Sequence, residues 1–264
     1  MIKVILARLK QGHRTIKYPA APPPEMSDRY CGRPEIAAAK CREGCRSCVD
    51  ACPTGALSRT DKLCIDLGKC LYCRECEVAC PWGSIRFTKD YRQSVSRRES
   101  LIIEPDMTEL LLAASLDRKL KRLFGRSLKL RQVCAGGCNA CEADINVLNT
   151  IGWNLGRFGI QFVASPRHAD GILITGPVTK NMELALKKTY DAVPEPKIVI
   201  AVGACAISGG PYIDHSEVNN GAESLVKVDL FIPGCSPHPL PILDGLLRLI
   251  GRIEDGKGET ARER

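Results

Sequence analysis

Several things are scarce in this sequence of 264 residues. No uncharged apolar run approaches the roughly 18 to 20 residues that a membrane-spanning helix needs, so a transmembrane helix is excluded. The opening, Met1-Ile2-Lys3-Val4-Ile5-Leu6-Ala7-Arg8, is too short and too soon charged for a secretory signal. It also lacks a twin-arginine pair, so the expected setting is a reducing cytosol, where dense cysteines mean metal or redox centres rather than disulfides. Aromatic residues make up only 5%, yet 44% of the chain is hydrophobic and 26% charged, which excludes a disordered chain. The length suggests two domains.

Cysteine, by contrast, is abundant and uneven. Ten of the 15 lie between Cys31 and Cys80 and the other five between Cys134 and Cys235, which argues against one evenly stapled core. The formal charge of +8 is uneven too, because residues 1–130 hold 25 Lys or Arg against 15 Asp or Glu. A basic half invites nucleic acid or an anionic surface as partner; a solvated basic face competes with both.

Along the chain, residues 1–37 read as an extended, polyproline-like arm (Pro19, Pro22, Pro23, Pro24, Pro34). Residues 38–95 form a compact cysteine-rich unit with an internal repeat of about 28 residues. In it, Cys52-Pro53-Thr54-Gly55-Ala56-Leu57 parallels Cys80-Pro81-Trp82-Gly83-Ser84-Ile85. Residues 96–130 read as a linker and a basic amphipathic helix over Thr108–Leu130, which would lie on a membrane or on the chain's own core. From 131 to 254, apolar runs at 161–164, 171–176, 197–203 and 228–232 alternate with helical stretches at 142–155, 180–191 and 239–252. That alternation predicts a doubly wound, flavodoxin-like α/β domain with a parallel sheet and sites at the carboxyl ends of its strands. Residues 255–264 read as a tail. The expected architecture is an α+β ferredoxin-like dicluster domain followed by the α/β domain.

Cys70-x2-Cys73-x2-Cys76-x3-Cys80-Pro81 is the spacing that binds bacterial-ferredoxin clusters, in which the fourth cysteine serves the other cluster. Its partner run is Cys41-x3-Cys45-x2-Cys48-x3-Cys52-Pro53, with one extra residue in the first gap. The expected assignment is Cys41, Cys45, Cys48 and Cys80 on one [4Fe–4S] cluster and Cys70, Cys73, Cys76 and Cys52 on another. A zinc-ribbon, nucleic-acid-binding protein is the competing reading, but zinc needs two cysteine pairs per site rather than triplets with a lone Cys-Pro. In the α/β part, Cys138 and Cys141 precede a helix, while Cys205 and Cys235 follow strands among Gly and Pro that leave the backbone free for tight turns. These four make a thiolate set for a third [4Fe–4S] cluster, with buried small hydrophobes as the alternative and Cys134 as competitor for the first ligand position. Cys31 and Cys64 have no assigned role.

Cys138-Asn139-Ala140-Cys141-Glu142, Thr175-Gly176-Pro177, Gly203-Ala204-Cys205-Ala206 and Ile232-Pro233-Gly234-Cys235-Ser236-Pro237 resemble the small subunit of group 4 membrane-bound [NiFe] hydrogenases of the formate hydrogenlyase type. The 20 kDa subunit of respiratory complex I shares this fold but usually begins the site with adjacent cysteines. Residues 18–95 look like the two-cluster ferredoxin subunit of the same complexes, similar to the 23 kDa subunit of complex I, so the chain resembles a fusion of two subunits. Ser236 departs from the family's usual Pro.

This resemblance implies that Cys138, Cys141, Cys205 and Cys235 hold the proximal cluster facing a catalytic large subunit. It implies as partners a [NiFe] hydrogenase-like large subunit, membrane subunits and an electron donor such as formate dehydrogenase, at the cytoplasmic face of the inner membrane and without nucleic acid. Twelve assigned cysteines leave no two C-x2-C pairs for a [NiFe] site, so no complete active site is expected in this chain. A complex I-like module passing electrons to quinone shares all twelve. Glu142 is a proton-route candidate, or a helix-start carboxylate. Arg167 and His168 are weaker candidates for contact with the cluster or the large subunit. Arg46, Lys69 and Arg74 are candidates for raising cluster potentials. Three oxidised clusters would bring about −6, offsetting most of the basic excess.

Overall fold

Residues 2–11 contain neither proline nor glycine, and in the computed structural model they form helix α1 (Ile2–Gln11). The structure describes residues 2–12 and 14–253; the 255–264 tail and Glu254 lie outside the described residues. The extended reading of residues 1–37 is thus corrected at its start, because the prolines that argued for it begin only at Pro19. No residue of α1 is buried.

The rest of the arm is not free either. Thr15 Oγ1 donates to Ile151 O at 2.9 Å, and the Arg157 guanidinium donates to Ile16 O at 2.5 Å and Tyr18 O at 2.7 Å. Tyr18 and Met26 are buried, and the Tyr18 hydroxyl donates to Asp244 at 2.7 Å. Sequence alone showed the prolines but not these distant carbonyl and carboxylate partners.

The cysteine-rich unit is built from β1 (Pro34–Ile36), α2 (Ser47–Asp50), β2 (Leu57–Arg59), β3 (Leu63–Asp66), α3 (Glu75–Val78), β4 (Ile85–Phe87) and β5 (Ile102–Ile103). β1 pairs antiparallel with β4, and β2, β3 and β5 form a second antiparallel sheet. Its ladders run from Pro34 to Ile103, past both ends of the 38–95 span. β2 and β4 occupy equivalent places in the two halves. Each opens on a buried aliphatic residue, Leu57 or Ile85, continues exposed and ends half-buried.

The helix expected over 108–130 is corrected to the short α4 (Arg118–Phe124), started by the Asp117 carboxylate accepting the Lys119 and Leu120 N–H groups. Before it, the Ala113 N–H donates to Ser94 O and the Leu116 N–H to Leu249 O, which takes the backbone out of helical pairing. After it, Leu128 already begins a strand.

That strand, β6 (Leu128–Cys134), lies second from one edge of a five-stranded parallel sheet with β7 (Ile160–Phe162), β8 (Gly171–Thr175), β9 (Ile198–Val202) and β10 (Leu230–Ile232). The order is β10-β9-β8-β6-β7. The helices are α5 (Ala140–Val147), α6 (Lys180–Ala192), α7 (Ala204–Ser208) and α8 (Pro239–Leu249). Side chains alternate across the sheet. Ile172, Ile174, Val199, Ala201 and Phe231 join one core with Ile36, Leu57, Ile65 and Ile85 of the cysteine-rich unit. Leu173, Ile198, Ile200, Val202, Leu230 and Ile232 face Tyr18 and α8. The cysteine-rich unit therefore packs onto the sheet, and Val95 and Phe231 exchange backbone hydrogen bonds at 2.9 and 3.0 Å across the junction. Among the described residues, no helix is long and apolar enough to cross a membrane.

Candidate metal centres

The two Cys-Pro turns place their sulfurs identically. The Ala56 N–H donates to Cys52 Sγ at 3.2 Å and the Ser84 N–H to Cys80 Sγ at 3.3 Å, each from four residues on. Such amides stabilise a thiolate and tune whatever it ligates. Cys48 and Cys76 sit on α2 and α3, and the paired turns cross so that each Cys-Pro cysteine meets the other half's triplet.

The electrostatics trace this crossing. Burial pushes the Cys48 thiol up, and the charges of Cys80 and Cys41 add to it. The Ser47 N–H and hydroxyl hold Cys45 down against the charge of Cys80. Burial pushes Cys70 up to about 12, opposed by the Tyr72 N–H and reinforced by Cys76, Cys52 and Cys73. Cys76 is pushed up to about 12 by burial, then by Cys52, Cys73 and Cys48. These influences group Cys48 with Cys80 and Cys41, Cys45 with Cys80, and Cys70 and Cys76 with Cys52 and Cys73, as the spacing predicts.

A third set forms at the carboxyl ends of the parallel strands. Cys138 precedes α5, Cys141 lies in its first turn, Cys205 lies on α7 after β9, and Cys235 follows β10. Burial drives Cys141 well above the usual thiol range, with Cys205, Glu142, Cys235 and Cys138 adding to it. Cys205 is pushed up to about 11 by burial and then by Cys235 and Cys138. A side chain at Gly203, where φ is +89°, would put its Cβ 2.6 Å from Cys141 Sγ; at Gly210 it would meet Cys205 Sγ at 2.8 Å. Both glycines leave room at the thiols.

Cys134, the competitor for the first position, ends β6 exposed and close to Glu142 and the amides of Gly137 and Gly136. The charge of Cys138 bears on Cys141, Cys205 and Cys235. Cys64 neighbours Glu104 and Lys62, and Cys31 neighbours Arg74, Glu77 and Cys73.

Do these residues fit iron–sulfur clusters? The thiols of Cys48, Cys70, Cys76, Cys141 and Cys205, held up by burial and neighbouring charge, need a cationic centre to ionise them, which iron supplies. Cys52, Cys70, Cys73 and Cys76, with Leu57 and Phe87, line one small gap. Among the described residues no three Cys, His, Asp or Glu side chains meet closely enough for a single metal ion. A zinc ion would draw its sulfurs to about 3.8 Å from one another, given Zn–S bonds of about 2.3 Å. Triplets of cysteines completed by a lone Cys-Pro cysteine instead match the four-thiolate donor set of a cubane.

Of the other candidates, Glu142 is buried and turned inward, accepting the Thr175 hydroxyl at the end of β8. Arg167 and His168 are exposed in a single 3-10 turn. Arg74 is paired with Glu77 at 2.6 Å and Arg46 with Asp50 at 3.5 Å, both exposed; the Lys69 carbonyl accepts the Thr54 hydroxyl. Ser236, where the family usually has Pro, donates to Asp144 at 2.5 Å.

The residue that sequence reasoning missed is Arg59, whose Nη2 donates to Cys41 Sγ at 2.5 Å. The internal repeat carried the signal, since Arg59 follows Cys52-Pro53 as Phe87 follows Cys80-Pro81. Tyr72 and Gln93, joined at 2.8 Å, were missed as well. They line a cleft of about 290 Å³ shared with Cys235 and His238.

Thiol-lined clefts at the ends of parallel strands, with a doubled cysteine unit packed on the sheet, define an iron–sulfur oxidoreductase subunit. Residues 138–249 match the family described as NADH ubiquinone oxidoreductase, 20 Kd subunit, and residues 40–84 match the 4Fe-4S dicluster domain. The chain is 38% identical over 146 residues to the probable membrane-bound hydrogenase subunit mbhJ of Pyrococcus furiosus, covering 55% of this chain and 87% of that protein. It is 41% identical over 141 residues to formate hydrogenlyase subunit 7 of Escherichia coli, covering 53% of this chain and 55% of that one. To an NADH-quinone oxidoreductase subunit of Clostridium beijerinckii it is 42% identical over 118 residues, covering 44% and 70%. The chain belongs to this family of complex I 20 kDa and [NiFe] hydrogenase small subunits, and carries a dicluster iron–sulfur domain ahead of it.

Proposed function

We propose that this chain is the electron-transferring subunit of a membrane-associated [NiFe] hydrogenase complex of formate hydrogenlyase type. In this reading its three thiol sets hold three [4Fe–4S] clusters, working to or from the active site of a large subunit. When bound, such clusters store and release single electrons at potentials set by charge, hydrogen bonds and burial. The observation that carries the reading is that the sets adjoin in series. The charge of Cys48 bears on Cys76, linking the first set to the second, and that of Cys73 bears on Cys235, linking the second to the third. The apolar core that joins the dicluster unit to the sheet includes Cys48, Cys70 and Cys76, which supports a continuous path from the first two sets toward the third.

The strand order, 2-1-3-4-5 within the sheet, is the flavodoxin-like one and supports ligation at the carboxyl edge of its strands. Cys138, Cys141, Cys205 and Cys235 would form the proximal set facing the large subunit, with Glu142 offering a buried carboxylate beside it for protons. Cys138-x2-Cys141 favours the hydrogenase branch. The matched 20 kDa family and the NADH-quinone oxidoreductase relative favour a second reading, a complex I-like module delivering electrons to quinone.

Partners would be the large subunit, membrane subunits and a donor such as formate dehydrogenase, with peripheral attachment at the cytoplasmic face of the inner membrane. Attachment is supported by α1 rather than by the segment at 108–130. Ile2, Ile5, Leu6 and Leu9 form an exposed apolar stripe, and Lys3, Arg8, Lys10, Arg14 and Lys17 face no acidic residue before Glu25.

Metal and sulfide analysis of anaerobically purified protein tests the chemistry: about twelve iron and twelve sulfide per chain are expected from three cubanes. Stoichiometric zinc without sulfide refutes it. Electron paramagnetic resonance of the purified complex under hydrogen tests the role. Clusters reduced by hydrogen alone establish a hydrogenase, whereas no reduction by hydrogen turns the assignment to the quinone-linked reading.

A further inference from the structure

The internal repeat superposes Arg59 on Phe87, since both are the third residue of a three-residue strand that follows a Cys-Pro turn, 28 positions apart. The two side chains address different thiol sets. Arg59 is half-buried; its Nη2 donates to Cys41 Sγ at 2.5 Å, its Nη1 to Arg42 O at 3.4 Å, and its Nε is buried with no hydrogen-bond partner. Phe87 lines the gap of the second set, against the Tyr72 ring at 6.1 Å. Its backbone N–H donates to Glu77, whose carboxylate also neutralises Arg74.

Other charges do not even out this difference. Arg46 and Arg74 start the equivalent helices α2 and α3, and each is paired with a carboxylate. Arg42 stacks its guanidinium on Trp82 at 3.7 Å in the open, where water and salt screen it. An unneutralised guanidinium against a ligand sulfur favours the more negative, reduced state of whatever that sulfur binds.

We infer that Arg59 makes the two pseudo-equivalent thiol sets unequal, holding the cluster of Cys41, Cys45, Cys48 and Cys80 at the higher reduction potential, so that an electron entering the dicluster unit rests at the end away from the third set. Arg59 acts here as a positioning residue for charge, not as a ligand. The inference rests on the reading that both sets hold [4Fe–4S] clusters.

The test is a potentiometric titration of the anaerobically purified full-length chain, followed by electron paramagnetic resonance. Cys45→Ser identifies which transition belongs to the first set. Arg59→Leu is expected to shift that transition's reduction equilibrium at least tenfold toward the oxidised form, about 59 mV for one electron. Arg59→Lys is expected to recover most of the shift. Phe87→Arg is expected to raise the second set's potential by a comparable factor. An unmoved first-set potential in Arg59→Leu with iron and sulfide retained overturns the inference, as does an equal fall in Arg59→Leu and Arg59→Lys. If Arg59→Leu does not retain iron, Phe87→Arg decides, and an unmoved second-set potential overturns the inference. Absence of iron and sulfide from the unmodified chain instead overturns the reading on which it rests.

Discussion

The two units of this chain gather thiols in opposite ways. The dicluster unit draws eight cysteines from one 40-residue stretch with strands of two to four residues, so its thiols are close because they are close in sequence. The α/β unit draws Cys138, Cys141, Cys205 and Cys235 across nearly 100 residues, and only the parallel sheet brings them together. On the proposed reading, ligation supplies much of the fold in the first, and the fold supplies the ligation in the second. The largest expected consequence is on metal removal. Stripping iron from the full-length chain by chelation under oxidising conditions should expose amides over 34–103 to hydrogen exchange while β8, β9 and β10 stay protected. Equal loss of protection in both units would erase the contrast.

The α/β unit should instead yield to damage in its own core. Asp244, on α8, accepts the Tyr18 hydroxyl at 2.7 Å and Arg248 Nε at 2.8 Å, all three buried. Asp244→Ala takes away the carboxylate that meets a buried guanidinium and should cost about 3–5 kcal/mol, read as a lower denaturant midpoint. Tyr18→Phe removes the hydroxyl that donates to the charged acceptor and also bonds Tyr91, leaves the ion pair in place, and should cost about 1.5–3 kcal/mol. A smaller loss for Asp244→Ala than for Tyr18→Phe would show that the ion pair contributes little.

Gly203→Ala sharpens the comparison from the site's side. Its Cβ would lie 2.6 Å from Cys141 Sγ on a backbone already at φ +89°. The third set should lose its cluster, lowering iron from about twelve to about eight per chain, with the dicluster signals unchanged. Retention of all the iron would mean that Cys141 has room to move and is not held as this packing implies.

The same contrast decides what was legible in the sequence. The eight local cysteines could be grouped by spacing alone, because the chain cannot carry Cys73 far from Cys70 or Cys76. β8, β9 and β10 were legible as apolar runs because both faces are buried. β6 was not, since Lys129 and Arg131 interrupt it and its pattern merged with the helical stretch before it. Helix α1 was hidden by prolines that begin only after it. Arg59 was hidden because β2 is too short to display a period, yet its place in the repeat beside Phe87 was already written there.

The smallest expected effects belong to the cysteines outside the sets, and they test the distinction at single-atom level. Cys134 and Cys138 are four residues apart, and the charge of Cys138 bears on Cys141, Cys205 and Cys235. Cys134 is instead turned to Glu142 and the Gly136–Gly137 amides. Cys64 lies between the buried Leu63 and Ile65 on β3, so alternation sends it to the opposite face, beside Glu104 and Lys62. Cys134→Ser and Cys64→Ser should therefore keep all the iron and the same paramagnetic signals, while Cys138→Ser alters the third set alone. Loss of the third signal in Cys134→Ser would move the first ligand back into β6, and the α/β unit would then hold its metal from a strand rather than from the loop beyond it.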